Sequence, residues 1–345
     1  MSDLDVPPGP EGAPRRVLIV RMSHLGDIAQ TLVLAHSVRE RWPEAELTWA
    51  VQPEFAPLVA PLARVVPFDR RGGLGAWRRL RAAFAATPPD LVLDAQGNWK
   101  SAMVARLARP SRGRSLAFAR SAWQEPIAAA ITRPVEVAAA GQRHLVARCR
   151  ALAEAATGRP ASDRIDPDLT ADELRVGREA LAGLVPEGAP VVLHPGVAGD
   201  PRSWPAERFA ETARRLARDG RAVLVLTGPG EADAGEELRE SASDAAHLVG
   251  QRGLRELAAL LAAAAERSGR IVVGDSGPAH VAASVGLPVV LVAGPEDPLR
   301  TGPWPPADEP SSPHRVARAP RAFGDAPWRP RPIDIVEIDD VLEAI

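Results

Sequence analysis

The sequence predicts an α/β protein of two domains, each built on a parallel β-sheet with crossover helices. Three observations support this fold class. Short apolar runs typical of buried strands alternate with longer Ala-, Leu- and Arg-rich stretches typical of helices. The alternation stops at a charged connector, residues 163–170, and then begins again. The length of 345 residues also suits two domains of ordinary size.

The first half contains the elements of one such domain. Its predicted strands are 16–20, 46–51, 64–68 and the first part of 90–97. Its predicted helices are a segment after Gly26, in which Ile28, Leu32, Ala35 and Val38 share one face, and segments 75–86, 100–108 and 143–156. We therefore expect a disordered tail at 1–14 and an N-terminal domain over residues 15–165.

The second half repeats the pattern. Its predicted strands are 191–194, 222–228, 270–275 and 288–294. Its predicted helices are 171–184, 206–218, 231–240, 254–264 and a short one from about residue 278. A Pro-rich loop at 301–332 precedes a terminal helix at 333–345. We therefore expect a C-terminal domain over residues 171–332, followed by that helix.

The composition excludes several classes of protein. Hydrophobic residues make up 46% and charged residues 25%, a balance typical of soluble globular proteins. A net charge of −2 gives no global basic field, so we expect no nucleic-acid partner. The single cysteine, Cys149, cannot form an intrachain disulfide, which fits a reducing compartment.

The sequence also predicts where the protein resides. Residues 1–14 lack the apolar core of a signal peptide, and no apolar run approaches the roughly 18–20 residues of a membrane span. These observations predict a cytoplasmic location. They leave open a peripheral position on the inner membrane.

Parallel α/β sheets bind ligands beyond the carboxyl ends of their strands. That rule selects five loops, which lie at 21–27, 94–100, 194–204, 228–231 and 275–280. Three motifs are missing from the sequence: the Walker loop, G-x-G-x-x-G after the first strand, and G-x-S-x-G. A Walker-type NTPase, a standard NAD-binding domain and an α/β-hydrolase are therefore disfavoured. No D-x-D pair follows a strand, which also disfavours metal-dependent GT-A transferases.

The first of these loops ends at Gly26 and Asp27. We expect Gly26 to permit a tight turn and Asp27 to open the helix that follows. Such an aspartate can be an ordinary helix cap, or it can be a carboxylate that acts as a general base. A capping position favours the ionised carboxylate and weakens it as a base.

The last of these loops can bind an anion. Pro278 suits the first turn of a helix, where its missing N–H costs nothing. The backbone N–H groups of Ser276 and Gly277, together with the helix dipole, suit a phosphate. Asp275 would repel a phosphate and should face sugar hydroxyls, whereas His280 can donate to phosphate or ribose. The alternative is a plain strand–turn–helix connection in which Ser276 is the N-cap.

Two further loops offer one basic and one acidic candidate. Arg202 has the planar fork that clamps a diphosphate, or it pairs with a surface acid. Glu231 follows a Gly-rich turn and can accept two ribose hydroxyls, or it begins a helix. His194 is disfavoured as a metal ligand, because no other His, Cys or acid has a ligand-like spacing from it.

The remaining basic candidates lie in the first half. Lys100, the only lysine of the chain, can contact an anionic acceptor or the leaving diphosphate, or it can be a solvated surface lysine. A cluster of arginines forms either a solvated face or a basic surface for a phosphorylated, membrane-borne acceptor. The cluster consists of Arg106, Arg109, Arg112, Arg114 and Arg120.

Five segments resemble motifs of the ADP-heptose–lipopolysaccharide heptosyltransferase family, glycosyltransferase family 9, and most of all its type I. They are RVLIVRMSHLGDIAQTLVLAHSVRERWPEAELTWAV, DAQGNWKSAMVARLA, HPGVAGDPRSWPAERFA, TGPGE and VVGDSGPAHVAASVGLPVVLVAGPEDP. The first contains S-x-x-G-D, the second is similar to D-x-Q-G-x-x-K-S, and the others resemble donor-site motifs. The resemblance spans roughly residues 15–300, and five motifs in the family's order make it specific.

The resemblance implies a GT-B fold, in which two Rossmann-like domains carry parallel sheets that face each other across a cleft. It also implies roles for individual residues. The catalytic aspartate falls on Asp27, and the acceptor-binding positions fall on Ser23, Gly26, Lys100 and Arg120. The donor-binding positions are Arg202, Glu231, Asp275, Ser276, Gly277, His280, His194 and Gly196.

Two positions depart from the family pattern. Arg202 stands where the family usually has lysine, which keeps the charge on a bulkier group. Gly196-Val197-Ala198 stands where one family member has a pair of threonines, so hydroxyl contacts to phosphate are lost.

The implied activity is an inverting transfer of heptose from ADP-heptose to the Kdo-containing inner core of lipid A, or to a related anionic glycolipid. The resemblance implies no required metal or other cofactor, because Arg202 and helix termini can stabilise the leaving diphosphate. Two alternatives stay open. One is a GT-B transferase that uses a UDP- or GDP-sugar on another glycan, and the other is a non-catalytic relative that binds nucleotide sugars.

Overall fold

The computed structural model divides the chain into two compact units, Met1–Asp168 and Leu169–Ile345. The boundary falls inside the charged connector 163–170. The residues that the structure describes are 13–69, 71–108, 114–122, 125, 127–132, 134–137, 144–197, 199–228, 230–231, 235–236, 238, 240, 247–248, 252–318 and 332–345.

The first unit is built on a sheet of six parallel strands. They are β1 (Arg16–Val20), β2 (Glu46–Val51), β3 (Arg64–Pro67), β4 (Leu91–Asp94), β5 (Arg114–Phe118) and β6 (Val135–Val137). Their order is β3-β2-β1-β4-β5-β6, and every neighbouring pair is parallel. Strands β2 and β3 thus extend the sheet on one side of β1, and strands β4, β5 and β6 extend it on the other side. The switch point between β1 and β4 is where such sheets bind ligands.

Six helices accompany this sheet. They are α1 (Leu25–Arg41), α2 (Ala56–Val59), α3 (Gly73–Ala86), α4 (Trp99–Ala108), α5 (Ala128–Ile131) and α6 (Leu145–Thr157). In α3 the buried residues are Ala76, Leu80 and Phe84, which recur every four residues on one face. That face packs with Leu18, Val92 and other strand residues in the core of the unit. Burial of this apolar stripe fixes α3 against the sheet.

The second unit repeats the topology of the first. Its strands are β7 (Val191–His194), β8 (Val223–Val225), β9 (His247–Leu248), β10 (Arg270–Val273), β11 (Val289–Val292) and β12 (Arg315–Ala317). Their order is β12-β11-β10-β7-β8-β9, again with parallel neighbours throughout. The equivalent switch point lies between β7 and β10.

Six described helices belong to this unit. They are α7 (Ala171–Leu184), α8 (Ala206–Arg218), α9 (Leu254–Glu266), α10 (Gly277–Ser284), α11 (Pro298–Thr301) and α12 (Ile338–Ala344). The core joins strand residues to Trp204 and Phe209 and to Val341 of the terminal helix. The fold class predicted from the sequence, α/β with two parallel sheets, is confirmed.

Several predicted elements differ from the observed ones. The segment 301–332 is not a loop throughout, because Arg315–Ala317 forms β12 and pairs with β11. The apolar Val316 and Ala317 follow the last proline before that strand and can complete the edge of the sheet. The terminal helix begins at Ile338 and not at residue 333. A short 3-10 turn, Ile333–Ile335, follows Pro332, and Glu337 then starts the helix with a capping box.

Some predictions fall outside the described residues. They are the tail up to residue 12, most of the predicted helix 231–240, Arg109 and Arg112, Ala198, and residues 319–331. Among the helices that the structure describes, none has the length and apolar character needed to span a bilayer.

Candidate active site

Asp27 lies in the first turn of α1, on the side of the first sheet where the parallel strands have their carboxyl ends, which is the carboxyl edge of the sheet. Its carboxylate forms an ion pair with Arg21, which follows β1 directly. The Asp27 side chain is 30% exposed, whereas that of Arg21 is 4% exposed. The Nδ1 atom of His24 lies 3.6 Å from the same carboxylate oxygen. A buried cation therefore holds a carboxylate that stays accessible to a ligand.

Arg21 is itself fixed on two sides. Its Nη1 donates to the carbonyl oxygen of Ala95, after β4, at 2.7 Å. Its own carbonyl accepts a hydrogen bond from Trp49 Nε1 at 2.9 Å. Because β1 lies between β2 and β4, these bonds join the loop after β1 to strand β2 and to the loop after β4. The guanidinium is thus anchored to the sheet, and it holds the carboxylate of Asp27 in place.

The predicted turn at Gly26 is wrong in its position. The left-handed backbone conformation falls at His24, with φ 67°, and Gly26 is buried inside the first turn of α1. His24 is also the N-cap residue and makes no side-chain capping bond. Asp27 is consequently the third helical residue and does not open the helix. Its carboxylate turns to Arg21.

The D-x-Q-G segment after β4 connects this loop to the sheet. Gln96 Oε1 accepts from the backbone N–H of Met22 at 2.8 Å, and its Nε2 donates to Ser23 Oγ at 3.2 Å. Asp94 accepts from the backbone of Gln96 and from Ser101 Oγ, both at 2.9 Å. Burial raises the pKa of the Asp94 carboxyl, and these hydrogen bonds partly oppose the rise. Asp94 is thus a structural anchor for the loop.

The expected acceptor-side residues do not all come together. Ser23 joins the Asp27 loop through Gln96. Lys100 is half-buried in the first turn of α4, and its Nζ lies 5.4 Å from the ring centroid of Trp99. Arg120 follows β5 and pairs with Glu136, with 2.5 Å between Nε and Oε1. No bond in the described part of the chain joins Arg120 to Asp27.

In the second unit, His194 and Glu231 form one cluster at the carboxyl edge. His194 ends β7 and is buried, with Nδ1 3.1 Å from the carbonyl oxygen of Leu226. Glu231 Oε2 accepts from the backbone N–H of Gly228 at 2.6 Å and lies 3.6 Å from His194 Nδ1. Its side chain is 12% exposed. The turn and the histidine together fix this carboxylate.

Arg202 lies beside the loop after β10. Its guanidinium donates to both carboxylate oxygens of Asp200, at 3.0 and 2.7 Å. Hydrogen bonding to Asp200 raises the pKa of Arg202, and the same contact lowers the pKa of Asp200. A Cβ at Gly274 would lie 2.2 Å from the carbonyl oxygen of Arg202. The loops of β7 and β10 therefore touch backbone to backbone, as the neighbouring strands require.

Gly196 has a different steric role in the same loop. Its φ is 75°, and a Cβ there would lie 2.6 Å from Ser203 Oγ. Glycine avoids both the backbone strain and this contact. The left-handed turn at Gly196 thus lets the loop after β7 fold back toward Arg202.

The D-S-G-P loop forms the N-terminus of α10. Asp275 Oδ2 accepts from Thr301 Oγ1 at 2.8 Å, and Oδ1 lies 3.7 Å from His280 Nε2. Ser276 is the N-cap residue, but its side chain makes no capping bond, and its buried Oγ has no partner among the described residues. Gly277 is the first helical residue. Ser276 thus occupies the N-cap position that one of the two interpretations gave it, but its hydroxyl does not cap the helix.

Sequence reasoning gave no role to several residues of these clusters. They are Arg21, Asp94, Gln96, Asp200 and Thr301. A usable signal existed for Arg21, since it is a charged residue directly after an apolar strand. Asp200 lies two residues before Arg202, a spacing that suits an Asx-type turn. Within the residues described, no three His, Cys, Asp or Glu side chains group in a way that could hold a metal ion.

Comparisons with known proteins agree with this architecture. A family model for glycosyltransferase family 9 (heptosyltransferase) matches residues 77–321. Lipopolysaccharide heptosyltransferase 1 of Pseudomonas aeruginosa is 31% identical over 302 residues, which are 83% of this chain and 81% of that protein.

Solved structures give the same result. Escherichia coli heptosyltransferase WaaC with ADP superposes with a TM-score of 0.73 at 26% identity, covering 95% of this chain and 98% of that one. The same enzyme with ADP-2-deoxy-2-fluoro heptose gives a TM-score of 0.72 at 25% identity, with the same coverage. The fold and the clusters at its strand ends define a glycosyltransferase of the GT-B class. The chain belongs to glycosyltransferase family 9, the heptosyltransferases, as its motifs predicted.

Proposed function

We propose that this enzyme transfers heptose, with inversion, from ADP-heptose to the lipopolysaccharide inner core, on a Kdo–lipid A acceptor or a related one. The observation that carries the proposal is the ion pair between the buried Arg21 and the accessible Asp27. It holds a carboxylate at the switch point of a parallel sheet, where ligands bind. The likeness to lipopolysaccharide heptosyltransferase 1 and to WaaC with ADP and an ADP-heptose analogue supports the substrates.

The second unit binds the donor in this proposal. Arg202 and the backbone N–H groups of Ser276 and Gly277 contact the diphosphate, because a guanidinium and a helix N-terminus both favour phosphate oxygens. Glu231 accepts hydrogen bonds from the ribose hydroxyls, and Asp275 accepts them from the sugar. His194, Gly196 and His280 shape the same site.

The Asp200–Arg202 pair has a consequence for donor binding. The carboxylate of Asp200 accepts hydrogen bonds from Nε and Nη2, which form one edge of the Arg202 guanidinium group. Because the pair is half-exposed, its rearrangement toward a diphosphate costs little. Arg202 then exchanges one anionic partner for another.

The first unit binds the acceptor and performs the proton transfer. Asp27 accepts the proton of the acceptor hydroxyl. The hydroxyl oxygen meanwhile attacks the anomeric carbon from the face opposite the leaving ADP. The new glycosidic bond forms as the bond to the ADP oxygen breaks, and the diphosphate takes the electron pair. Ser23, Gly26, Lys100 and Arg120 are the proposed acceptor contacts, and Lys100 brings positive charge toward an anionic glycolipid.

Charge stabilisation of the leaving group falls to Arg202 and the α10 N-terminus. We therefore expect transfer to persist after dialysis against EDTA. Loss of activity in EDTA, restored by Mg²⁺ or Mn²⁺, would contradict the assignment of that role to protein groups alone.

The location of the enzyme follows from its acceptor. A glycolipid acceptor resides in a membrane, so the proposal places this protein in the cytoplasm with peripheral contact at the inner membrane.

The first test is isothermal titration of the full chain with ADP, UDP and GDP in the absence of added metal. We expect a clear preference for ADP that Arg202→Ala removes. A preference for UDP or GDP would overturn ADP-heptose as the donor and support another GT-B transferase. Binding of ADP without any transfer from ADP-heptose would instead support a non-catalytic relative.

A further inference from the structure

The outward face of α3 carries cationic and apolar side chains. Leu74, Arg78 and Arg81 recur at spacings of four and three residues, so they share a face opposite the buried stripe of the helix. All three are exposed, and Leu74 is 77% exposed. An exposed leucine at the start of a cationic helix face is not explained by packing within the unit.

The charge of this face is not neutralised by neighbouring acids. No aspartate or glutamate occurs between residues 73 and 86. In the part of the chain that the structure describes, neither Arg78 nor Arg81 forms an ion pair. Their charge therefore faces solvent.

Helix α7 provides the contrast within the same molecule. Its Arg175 pairs with Asp172 and Glu179, and its Arg178 pairs with Glu266. The exposed arginines of α7 thus have acidic partners, whereas Arg78 and Arg81 of α3 have none among the described residues.

Aromatic side chains lie beside the N-terminal end of the same helix. The ring of Trp77 on α3 lies 6.2 Å from that of Trp99, centroid to centroid. Trp99 is 38% exposed, and Lys100 Nζ lies over its ring. Helices α3 and α4 start after β3 and β4, so these residues lie at the carboxyl edge of the sheet, as Asp27 does.

We infer that the outward face of α3, with Leu74 and Trp99 at its N-terminal end, docks on an anionic lipid bilayer. Guanidinium groups pair with lipid phosphates, and near such a surface each charge contributes attraction that salt weakens. Leucine and tryptophan side chains suit the boundary between headgroups and acyl chains. Because the whole chain has a net charge of −2, attraction to an anionic surface must come from a local cationic face such as this one.

The inference rests on the proposed function in one respect: a membrane-borne acceptor gives docking its purpose. Docking at the carboxyl edge would hold the unit on the surface from which a glycolipid headgroup projects. The binding itself needs no acceptor, so it can be tested separately.

The main experiment is co-sedimentation of the full chain with vesicles that contain no acceptor. One set contains phosphatidylethanolamine and phosphatidylglycerol, and the other contains phosphatidylcholine alone. We expect binding to the anionic vesicles only, and a loss of that binding as salt is added. The double variant Arg78→Gln/Arg81→Gln should lower the partition coefficient about tenfold or more.

The matched control is Arg175→Gln/Arg178→Gln on α7, which removes the same charge from a face whose arginines are paired. It should bind vesicles as the parent chain does. Equal losses in the two double variants would overturn the docking face, and so would equal binding to neutral and anionic vesicles or no binding to either.

A second experiment locates the contact. Cys149 is fully buried, so Leu74→Cys offers one reactive thiol for an environment-sensitive fluorophore. We expect its emission to shift to the blue on anionic vesicles. The same label at Val176→Cys on α7, a position that is 47% exposed, should not shift. A shift at both positions or at neither would overturn the inference.

Transfer assays separate this inference from the proposed function. The Arg78→Gln/Arg81→Gln variant should transfer heptose to a water-soluble, delipidated inner-core acceptor at the parent rate. Loss of that transfer would mean that α3 binds the acceptor and does not dock on lipid. Vesicle binding by a parent chain that transfers no heptose would overturn the proposed function and leave docking intact.

Discussion

At the scale of single residues, the pairing of Asp27 with Arg21 distinguishes between the two roles considered for this aspartate, which are a helix cap and a general base. A helix-capping carboxylate bonds to backbone N–H groups, but the N-cap here is His24, and Asp27 pairs with a guanidinium. Arg21 is in turn bonded to the backbone after β4. The carboxylate is therefore held by the sheet, and its exposed part can receive an acceptor hydroxyl.

The first prediction concerns Asp27→Asn. The amide keeps the size of the side chain but cannot take up the proton, so turnover should fall by about 10²–10⁴-fold or more. The Kd of ADP, measured by titration calorimetry, should stay within a few-fold, because the proposed donor-binding residues lie in the other unit. Loss of ADP binding would indicate a structural role for Asp27.

The second prediction concerns Arg21→Met. Removal of the guanidinium leaves Asp27 without its positioning partner, and misplacement of a reacting group can lower turnover about 10²-fold. We expect kcat to fall and the KM for ADP-heptose to change little. Arg16→Met, at the other end of β1, serves as the control and should keep kcat. Partial activity in Arg21→Lys would support positioning by charge, whereas unchanged kcat in Arg21→Met would contradict it.

At the scale of elements, two close contacts define the second unit. The loop after β7 meets the turn after β10 at Gly274, where only a residue without a side chain fits. Helix α7 meets α9 through Glu173, which closes a capping box with Thr170 and also pairs with Arg255. The first contact positions Arg202 in the proposed donor site, and the second joins two helices, α7 and α9.

The third prediction concerns Gly274→Ala. The new Cβ would meet the carbonyl oxygen of Arg202, so the loop must move, with a loss of about 1–3 kcal/mol in stability. ADP binding should weaken as Arg202 shifts. Gly183→Ala on α7, where a Cβ meets nothing within 4 Å, is the control. It should leave ADP binding unchanged and raise the melting temperature slightly.

The fourth prediction concerns pH. Hydrogen bonding to Arg255 lowers the pKa of Glu173 from 4.5 to about 2 in the folded protein. A depressed folded-state pKa contributes stability above the unfolded value of 4.5, and that stability is lost as pH falls toward 2. Glu173→Gln should therefore lower the melting temperature at neutral pH. The difference from the parent chain should shrink between pH 4.5 and 2, and a constant difference would contradict the linkage.

At the scale of the whole molecule, each unit has its own sheet, its own switch point and its own core. The terminal helix α12 packs into the core of the second unit through Val341. The chain that follows Asp168 thus has its own sheet and core, and every proposed donor-binding residue belongs to it.

The fifth prediction follows from that division. A fragment of residues 169–345 should fold and bind ADP with an affinity within a few-fold of the full chain, and it should transfer no heptose. Thermal unfolding and calorimetry would check this. The same fragment with Arg202→Ala is the control and should not bind. A fragment that folds but fails to bind ADP would contradict the assignment of the donor site to this unit alone.

Much of this architecture could be predicted because local rules and tertiary packing agree. Strand 191–194 and helices 171–184 and 206–218 match the observed bounds, where a buried apolar run, a capping box and a proline set them. The strands β5, β6, β9 and β12 were missed. The last three have only two or three residues, gain their stability from pairing and carry little pattern of their own, and β5 begins with the polar Arg114 and Ser115.

The candidate site could likewise be predicted only in part. Loops after strands could be located from the topology, because ligand sites of parallel sheets share one edge. The partners of individual side chains could not. Arg21 reaches Ala95 only because β1 and β4 are neighbours, and Asp94 is an anchor only because it is buried. Both facts depend on strand order, which spacing along the chain does not contain.

The position of Lys100 has a practical consequence. It supplies the only lysine ε-amine of the chain, at the start of α4 and beside Trp99. Amine-selective acylation of side chains in this protein is therefore confined to one point at the carboxyl edge of the first sheet. A reporter group or a photocrosslinker attached there would mark whatever molecule approaches that edge, without any change to the amino-acid sequence.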